Sequence, residues 1–281
     1  MIAKPWPAPA KLNLFLHVTG RRSDGYHELQ TLFQFLDIGD ELNFDLTDNG
    51  AISLSQPIPG VPDDEELCQS AARLLQQHCG ISQGVDITLR KQLPAGGGLG
   101  GGSSDAATTL VALNRLWGAG LSVEQLAGLA LRLGADVPVF VRGQASWAEG
   151  IGEDLTPVTI DEPWYVVICP QVHVSTAEIF SRPELTRDSP PITIRAFREG
   201  QGRNDLEPVV RRLYPSVDNA LSWLAAFGRP RMTGSGSCLF LPVADRASGK
   251  TILGQRPDGC DGFVAQGLNQ SPLVERLELE V

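Results

Sequence analysis

Residues 94–105 read PAGGGLGGGSSD, and six of the seven positions from Gly96 to Gly102 are glycine. An ordered glycine costs roughly 0.5–1 kcal/mol relative to alanine because it loses more backbone freedom on folding, so this loop costs about 3–6 kcal/mol of chain entropy. The sequence therefore predicts a loop whose task requires backbone conformations or close approaches that larger residues would prevent.

The glycine loop lies between a predicted strand and a predicted helix. Residues 85–90 (VDITLR) alternate apolar and polar side chains, as a half-buried strand does. Residues 103–105 (SSD) are helix N-cap types, and apolar residues recur at helical spacing from there to Gly118. Backbone N–H groups of such a loop can surround a phosphate, and the helix dipole adds about half a positive charge. A phosphate cradle is the favoured interpretation, and a flexible linker is the alternative.

Two other nucleotide motifs fit the sequence poorly. Positions 96–101 satisfy G-x-G-x-x-G, but a glycine run meets many patterns by accident, and the acidic residue required downstream would be Glu124, in the first turn of a predicted helix. Residues 248–251 (SGKT) resemble the end of a Walker A motif, but Ala244 replaces its first glycine. An NAD-binding oxidoreductase therefore stays a distant alternative.

Composition limits the classes of partner. The 281 residues, 42% of them hydrophobic, can form two domains or one large one. A net charge of −10 argues against a nucleic-acid or membrane-surface binder. Five cysteines without a C-x-x-C pair suit a reducing compartment, and no 18-residue apolar run occurs, so we expect a cytoplasmic protein without a membrane partner.

The first predicted strand covers residues 10–18 and alternates strictly. Leu12, Leu14, Leu16 and Val18 are expected on one face, and Lys11, Asn13, Phe15 and His17 on the other. By pattern alone, Lys11 is a solvated residue at a strand edge.

Three further features have ordinary structural interpretations when each is taken alone. Asp136 can cap a short helix that has Pro138 in its first turn. Tyr26 and His27 can be a packed pair, and residues 233–237 (TGSGS) can be a tight turn between strands.

Several segments together resemble the ordered motifs of the GHMP small-molecule kinases. They are residues 9–14 (PAKLNL), 96–104 (GGGLGGGSS), 133–138 (LGADVP) and 233–238 (TGSGSC). Further segments are similar to the branch of that family that phosphorylates a cytidine diphosphate-linked methylerythritol: residues 24–27 (DGYH), 31–36 (TLFQFL), 139–143 (VFVRG), 263–266 (FVAQ) and 269–273 (NQSPL). The resemblance extends over nearly the whole chain, and the order of the motifs carries it.

The resemblance implies a fold and a reaction. The fold is α+β, with an N-terminal ATP-binding domain (residues 1–158) resembling a ribosomal-protein fold, a C-terminal ferredoxin-like domain (residues 159–281), and the active site between them. ATP would give its γ-phosphoryl group to the 2-hydroxyl of the methylerythritol in the non-mevalonate isoprenoid pathway, with Mg²⁺ accompanying the nucleotide. Phosphorylation of homoserine or mevalonate is the alternative. The protein is expected to be a monomer or homodimer.

The same resemblance assigns roles to residues. Asp136 would be the catalytic base and Lys11 would stabilise the developing charge. ATP would be held by Pro94, Ala95, Gly96, Gly97, Gly98, Leu99, Gly100, Gly101, Gly102, Ser103 and Ser104. The substrate would be held by Asn13, Tyr26, His27, Phe180, Thr233, Gly234 and Ser235. The family commonly has asparagine where this chain has Glu66, so an adenine or ribose contact there is left open, as are the magnesium ligands.

Overall fold

The computed structural model describes residues 4–55 and 66–279 of the chain. In that part the strands are β1 (Trp6–Arg21), β2 (His27–Thr47), β3 (Ile52–Leu54), β4 (Gly84–Arg90), β5 (Ser146–Glu149), β6 (Asp154–Pro157), β7 (Trp164–Pro170), β8 (Arg231–Met232), β9 (Leu239–Val243) and β10 (Cys260–Leu268). The helices are α1 (Leu67–Cys79), α2 (Gly101–Leu116), α3 (Val123–Ala130), α4 (Val137–Arg142), α5 (Thr176–Ser181), α6 (Ile194–Arg198), α7 (Glu207–Leu213), α8 (Pro215–Leu224), α9 (Arg246–Leu253) and α10 (Pro272–Glu278).

One sheet runs through both halves of the chain. Its strand order is β3-β4-β2-β10-β7-β9-β8, with β1 and β5 also paired to β2 and β6 paired to β5. The order β10-β7-β9-β8, with α7 and α8 before β8 and α9 before β10, is the β-α-β-β-α-β arrangement of a ferredoxin-like unit. The predicted α+β fold is confirmed. The SGKT segment lies inside α9, where it cannot form a phosphate loop.

The hydrophobic core has three parts. One lies under α1, α2, α3 and α4 and includes Leu273 of α10, so the end of the described chain packs against the N-terminal half. A second lies within the C-terminal half. The third joins the halves, because Leu12 and Leu14 of β1 pack with Tyr165 and Phe240 of β7 and β9. β1 therefore lies at the junction. The division at residues 158 and 159 stays a prediction.

The strict alternation predicted for β1 is wrong beyond Asn13. The pairing of β1 with β2 shifts register between Asn13 and Leu16, as at a β-bulge, and a bulge turns the side chains that follow it to the other face. Phe15 consequently joins the core shared by the halves, and Leu16 lines the same groove as Lys11 and Asn13. The prediction that Lys11 is solvated is also wrong, because only 2% of the residue is exposed.

The N-cap predicted at residues 103–105 is wrong as well. α2 begins at Gly101, after Gly100 in the left-handed conformation with φ +74°, and residues 103–105 are the third to fifth residues of the helix. An alanine Cβ at position 100 would lie 2.8 Å from the ring of Phe140, so the position requires glycine for its conformation and its space. No side chain of the described residues caps α2, which leaves its first N–H groups available to another acceptor.

Candidate active site

Three adjoining grooves form one cleft. The glycine groove, about 360 Å³, is lined by residues 94–103 with Glu66, Leu67, Lys91 and Asp105. The central groove, about 220 Å³, contains Lys11, Asn13, Asp136, Gly234 and Ser235. The aromatic groove, about 730 Å³, contains Tyr26, His27 and Phe180. The central groove shares glycines with the first and shares Asp136 and Phe180 with the third, so Lys11 and Asp136 lie midway along the cleft.

Lys11 is a buried cation held by three oxygen atoms. Its Nζ lies 3.2 Å from Asp136 Oδ2 and donates to Asn13 Oδ1 at 2.5 Å and to the Gly98 carbonyl at 3.2 Å. The ammonium also lies 5.2 Å from the centre of the Phe33 ring. A buried charge is tolerated when it is paired and hydrogen-bonded, as here. Lys11 thereby links the first strand, the glycine loop and the start of α4.

Asp136 precedes α4, but its carboxylate does not cap that helix through any hydrogen bond within the described structure. The cap interpretation is therefore wrong. The side chain points instead into the cleft, where it is 38% exposed and is paired with Lys11. A carboxylate that is open to the cleft and adjacent to a fixed cation can accept a proton from a bound hydroxyl group.

The glycine loop approaches the backbone of the 233–236 loop closely. Gly98 has φ +75°, and an alanine Cβ there would lie 2.2 Å from the Thr233 carbonyl oxygen. Thr233 Oγ1 donates to the Gly98 carbonyl at 3.1 Å and accepts from the Asn13 N–H at 2.9 Å. Glycine is required at position 98 because the two loops form opposite walls of a narrow site. The two loops, which are far apart in the sequence, are therefore in direct contact in the fold.

Asn204 holds the second loop, although the sequence provided no signal for it. Its Nδ2 donates to the carbonyls of Met232 at 2.9 Å and Gly234 at 2.7 Å. Gly234 and Ser235 line the central groove, whereas Thr233 is fully buried.

Ser104, at the start of α2, is also fully buried, and its hydroxyl has no hydrogen-bond partner among the described residues.

The aromatic groove is built around His27 and Phe180. Their ring centres are 5.0 Å apart with an angle of 34° between the planes, while Tyr26 is 62% exposed beside them. Arg187 Nε donates to His27 Nε2 at 3.0 Å. Burial first, then the positive charges of Arg187 and Arg21, lower the pKa of His27. The groove can accept a planar ring against these aromatic faces.

Two buried carboxylates share one lysine beside the glycine groove, a cluster that sequence analysis missed. Lys91 Nζ donates to Asp40 Oδ2 at 2.5 Å and to Asp105 Oδ2 at 2.8 Å. Burial raises the pKa of Asp105 to about 7, and Asp40 adds to this while Lys91 opposes it. Burial lowers the pKa of Lys91, but the two carboxylates outweigh it and the net pKa is raised. The sequence signal that could have indicated this cluster was a lysine three residues before Pro94, where the glycine loop begins.

Glu66 caps α1. Its two carboxylate oxygens accept from the N–H groups of Cys68 at 2.8 Å and Gln69 at 2.7 Å. Glu66 is buried at the edge of the glycine groove, and both of its carboxylate oxygens are already hydrogen-bonded to the N-terminus of α1.

No group of three metal-ligating side chains occurs among the residues that the structure describes. No helix of that part is long and apolar enough to cross a membrane.

The cleft and the fold define a class of phosphotransferases. Residues 66–144 match the GHMP kinases N terminal domain, and residues 188–260 match the GHMP kinases C terminal domain. The chain belongs to the GHMP kinase family, and the family predicted from the ordered motifs is confirmed.

Individual proteins similar to this chain indicate a particular kinase within the family. The chain is 59% identical to the 4-diphosphocytidyl-2-C-methyl-D-erythritol kinase of Pseudomonas paraeruginosa (strain DSM 24068 / PA7), over 97% of this chain and 96% of the relative. It is similar to a crystal structure of 4-(cytidine 5'-diphospho)-2C-methyl-D-erythritol kinase, with 34% identity, a TM-score of 0.82, and coverage of 94% and 99% of the two chains. Homoserine kinase from Cytophaga hutchinsonii shares the fold at 20% identity and a TM-score of 0.71, covering 96% and 97%.

Proposed function

We propose that this ATP-dependent kinase transfers the γ-phosphoryl group of ATP to the 2-hydroxyl of 4-diphosphocytidyl-2-C-methyl-D-erythritol. The products are the 2-phosphate and ADP, and the reaction belongs to the non-mevalonate isoprenoid pathway. One observation carries the proposal. The Lys11–Asp136 pair lies at the centre of a cleft, with the glycine loop and the start of α2 on one side and the aromatic groove on the other.

The reaction chemistry is proposed for Asp136 and Lys11. The Asp136 carboxylate takes the proton of the 2-hydroxyl as its oxygen bonds to the γ-phosphorus, a role worth about 10²–10⁴ in rate. Lys11 stabilises the negative charge that develops on the reacting oxygens, and its three oxygen contacts hold it in place. A fixed cation needs little rearrangement when the charge forms.

The phosphates of ATP are proposed to lie in the glycine groove. The backbone N–H groups of residues 95–103 and the uncapped N-terminus of α2 supply donors and a favourable dipole there. Lys91 adds a cation at the same groove. Because the chain as a whole carries a charge of −10, these local groups must provide the attraction for the polyphosphate.

The methylerythritol is proposed to lie in the central groove against Asn13, Gly234 and Ser235, with Thr233 bracing the wall behind it. The cytosine is proposed to lie in the aromatic groove with Tyr26, His27 and Phe180, where rings can stack and a histidine can form a hydrogen bond.

Mg²⁺ is proposed to accompany ATP. This ion takes most of its ligands from phosphate oxygens and water, so a protein cluster of three ligands is not required. The ion would neutralise charge on the transferred group. Asp105 is the carboxylate of the glycine groove with an oxygen that has no partner in the described part of the chain, so it fits a contact to the hydrated ion.

The cellular setting is proposed to be the cytoplasm. The five cysteines all lie within the described residues and all are free thiols, which suits a reducing compartment. We further propose two domains divided near residues 158 and 159, a monomeric or homodimeric state, and no nucleic-acid partner, the last from the negative net charge.

The test is ADP release, followed with a coupled assay, from magnesium-ATP and one alcohol at a time. The alcohols are the cytidyl methylerythritol, homoserine, mevalonate and galactose. Release with the cytidyl substrate alone is expected. Release with homoserine or mevalonate instead would keep the kinase and overturn the substrate, and the absence of release with all four would overturn the proposed reaction.

A further inference from the structure

Arg187 is held rigidly beside His27 by backbone oxygens of its own segment. Its Nη2 donates to the carbonyls of Phe180 at 2.9 Å and Arg182 at 2.7 Å, at the end of α5, and its Nη1 donates to the Leu185 carbonyl at 3.0 Å. The remaining contact is Nε to His27 Nε2 at 3.0 Å, between residues 160 positions apart. Four donated bonds therefore fix the direction of the guanidinium.

The contact decides where His27 carries its proton. A guanidinium has N–H donors and no acceptor, and it stays protonated throughout the working pH range of proteins. The nitrogen that accepts from it must therefore present a lone pair. Because that nitrogen is Nε2, the neutral imidazole carries its hydrogen on Nδ1.

The free ring nitrogen is available to a ligand. Nδ1 has no hydrogen-bond partner among the described residues, and His27 lines the aromatic groove. The ring itself is held by Phe180 on α5, the helix whose end Arg187 binds. Burial and the neighbouring cations Arg187 and Arg21 lower the pKa of His27, in agreement with a neutral ring. The ring thus has one N–H donor without a protein partner in the described part of the chain, and the ring lines the groove.

We propose that Arg187 is a positioning residue that holds His27 as the Nδ1–H tautomer, so that His27 donates to the acceptor edge of the cytosine of the substrate. The proposal rests on the proposed function for the identity of the ring. Cytosine presents acceptors at N3 and O2, whereas uracil carries a hydrogen on N3. Both rings have an acceptor at O2, so the distinction lies at N3. An N–H donor fixed opposite N3 favours cytosine, while a histidine free to change tautomer would serve either ring.

The tautomer can be tested without any substrate. Long-range ¹H–¹⁵N NMR of the ¹⁵N-histidine protein distinguishes a protonated ring nitrogen from one with a lone pair. We expect Nδ1 of His27 to be protonated in the wild type, and Arg187→Met to give a mixture of tautomers or the Nε2–H form. Arg195→Met is the matched control, because Arg195 is exposed and, among the described residues, pairs with Glu199, the residue that follows α6. A proton on Nε2 in the wild type would overturn the proposal.

Kinetics test the consequence for the substrate. In Arg187→Met, KM for the cytidyl substrate is expected to rise about three- to tenfold, which corresponds to one hydrogen bond, while kcat stays within twofold. The preference for the cytidyl over the uridyl substrate is expected to shrink by a similar factor. Arg187→Lys should recover part of the loss, since an ammonium also only donates.

An unchanged KM and an unchanged preference in Arg187→Met would refute the specificity role. A fall in kcat equal to the rise in KM would also refute it, because it would indicate general damage to α5. If the wild type phosphorylates none of the tested alcohols, the proposed function fails, and the NMR spectrum still decides the tautomer by itself.

Discussion

Replacement of Asp136 by asparagine separates chemistry from folding. The change keeps the shape of the side chain and removes its charge and its ability to take a proton. Lys11 loses the carboxylate charge at 3.2 Å but keeps its contacts with Asn13 Oδ1 and the Gly98 carbonyl. The effect on stability is therefore limited, although the ammonium is buried.

The two expected magnitudes differ. Breaking an exposed ion pair costs about 0–1 kcal/mol and breaking a fully buried one about 3–5 kcal/mol. Asp136 is 38% exposed, so we expect a loss of roughly 1–2 kcal/mol in the free energy of unfolding. Domains are typically stable by about 5–15 kcal/mol, so the variant stays folded. Loss of the general base should lower kcat at least about a hundredfold, or about 2.7 kcal/mol in activation free energy.

The assay compares kcat from coupled ADP release, ATP affinity by calorimetry and the free energy of unfolding in urea. We expect ATP affinity near that of the wild type. Glu124→Gln is the matched control, because Glu124 carries the same charge on the surface and pairs with Arg142 of α4. A near-normal kcat in Asp136→Asn would exclude Asp136 from the chemistry, and a loss explained by unfolding would refute the stability estimate.

Three other substitutions test the walls of the cleft. Gly98→Ala should destabilise the protein by at least about 1 kcal/mol more than Gly118→Ala, as measured by urea unfolding. Both positions have positive φ, but only the Cβ added at position 98 would clash with another backbone segment, at Thr233. Thr233→Val should cost about 1–3 kcal/mol in the same measurement, because its hydroxyl links Asn13 and Gly98. Between about pH 4 and 7 the folded protein keeps a proton on Asp105 that the unfolded chain releases. The free energy of unfolding should therefore fall as pH rises through this range. Asp105→Asn should reduce this pH dependence, as measured by urea unfolding at a series of pH values.

Each of these expectations has its own contrary outcome. Equal costs for the two glycine variants would mean that the loops can separate freely. Thr251→Val, which removes an exposed hydroxyl bonded to Ala247 in α9, is the control for Thr233→Val, and an equal effect would deny the link between the loops. An unchanged slope in Asp105→Asn would assign the titration to another group.

Local patterns predicted some elements well and misjudged others. The strand, glycine loop and helix unit at residues 84–116 follows from periodicity and composition, because each of its parts depends on neighbours in the chain. The helix start was misjudged because a left-handed glycine, which has no side chain to signal a cap, begins α2. The bulge after Asn13 could not be predicted either, since register depends on the partner strand.

In the candidate site, too, some features could be predicted from the sequence, whereas others depend on contacts between distant residues. Lys11 and Asp136 each have an ordinary structural interpretation when taken alone. Only the order of motifs along the whole chain indicated the catalytic roles that we propose for them. Arg187 and Asn204 gave no local signal at all, because each acts through contacts with residues far away in the chain. Lys91 could have been noticed beside the glycine loop, but its two carboxylates could not.

The sequence by itself determined the residue types of the cleft, the glycine loop before a helix and, through the ordered motifs, the family. Only the tertiary structure decided that Lys11 Nζ lies 3.2 Å from Asp136, that Thr233 donates to Gly98, and that Arg187 donates to His27. The reason is physical. Backbone conformation depends mainly on residues a few positions away, whereas hydrogen bonds and ion pairs between side chains depend on which distant segments the packed core brings together.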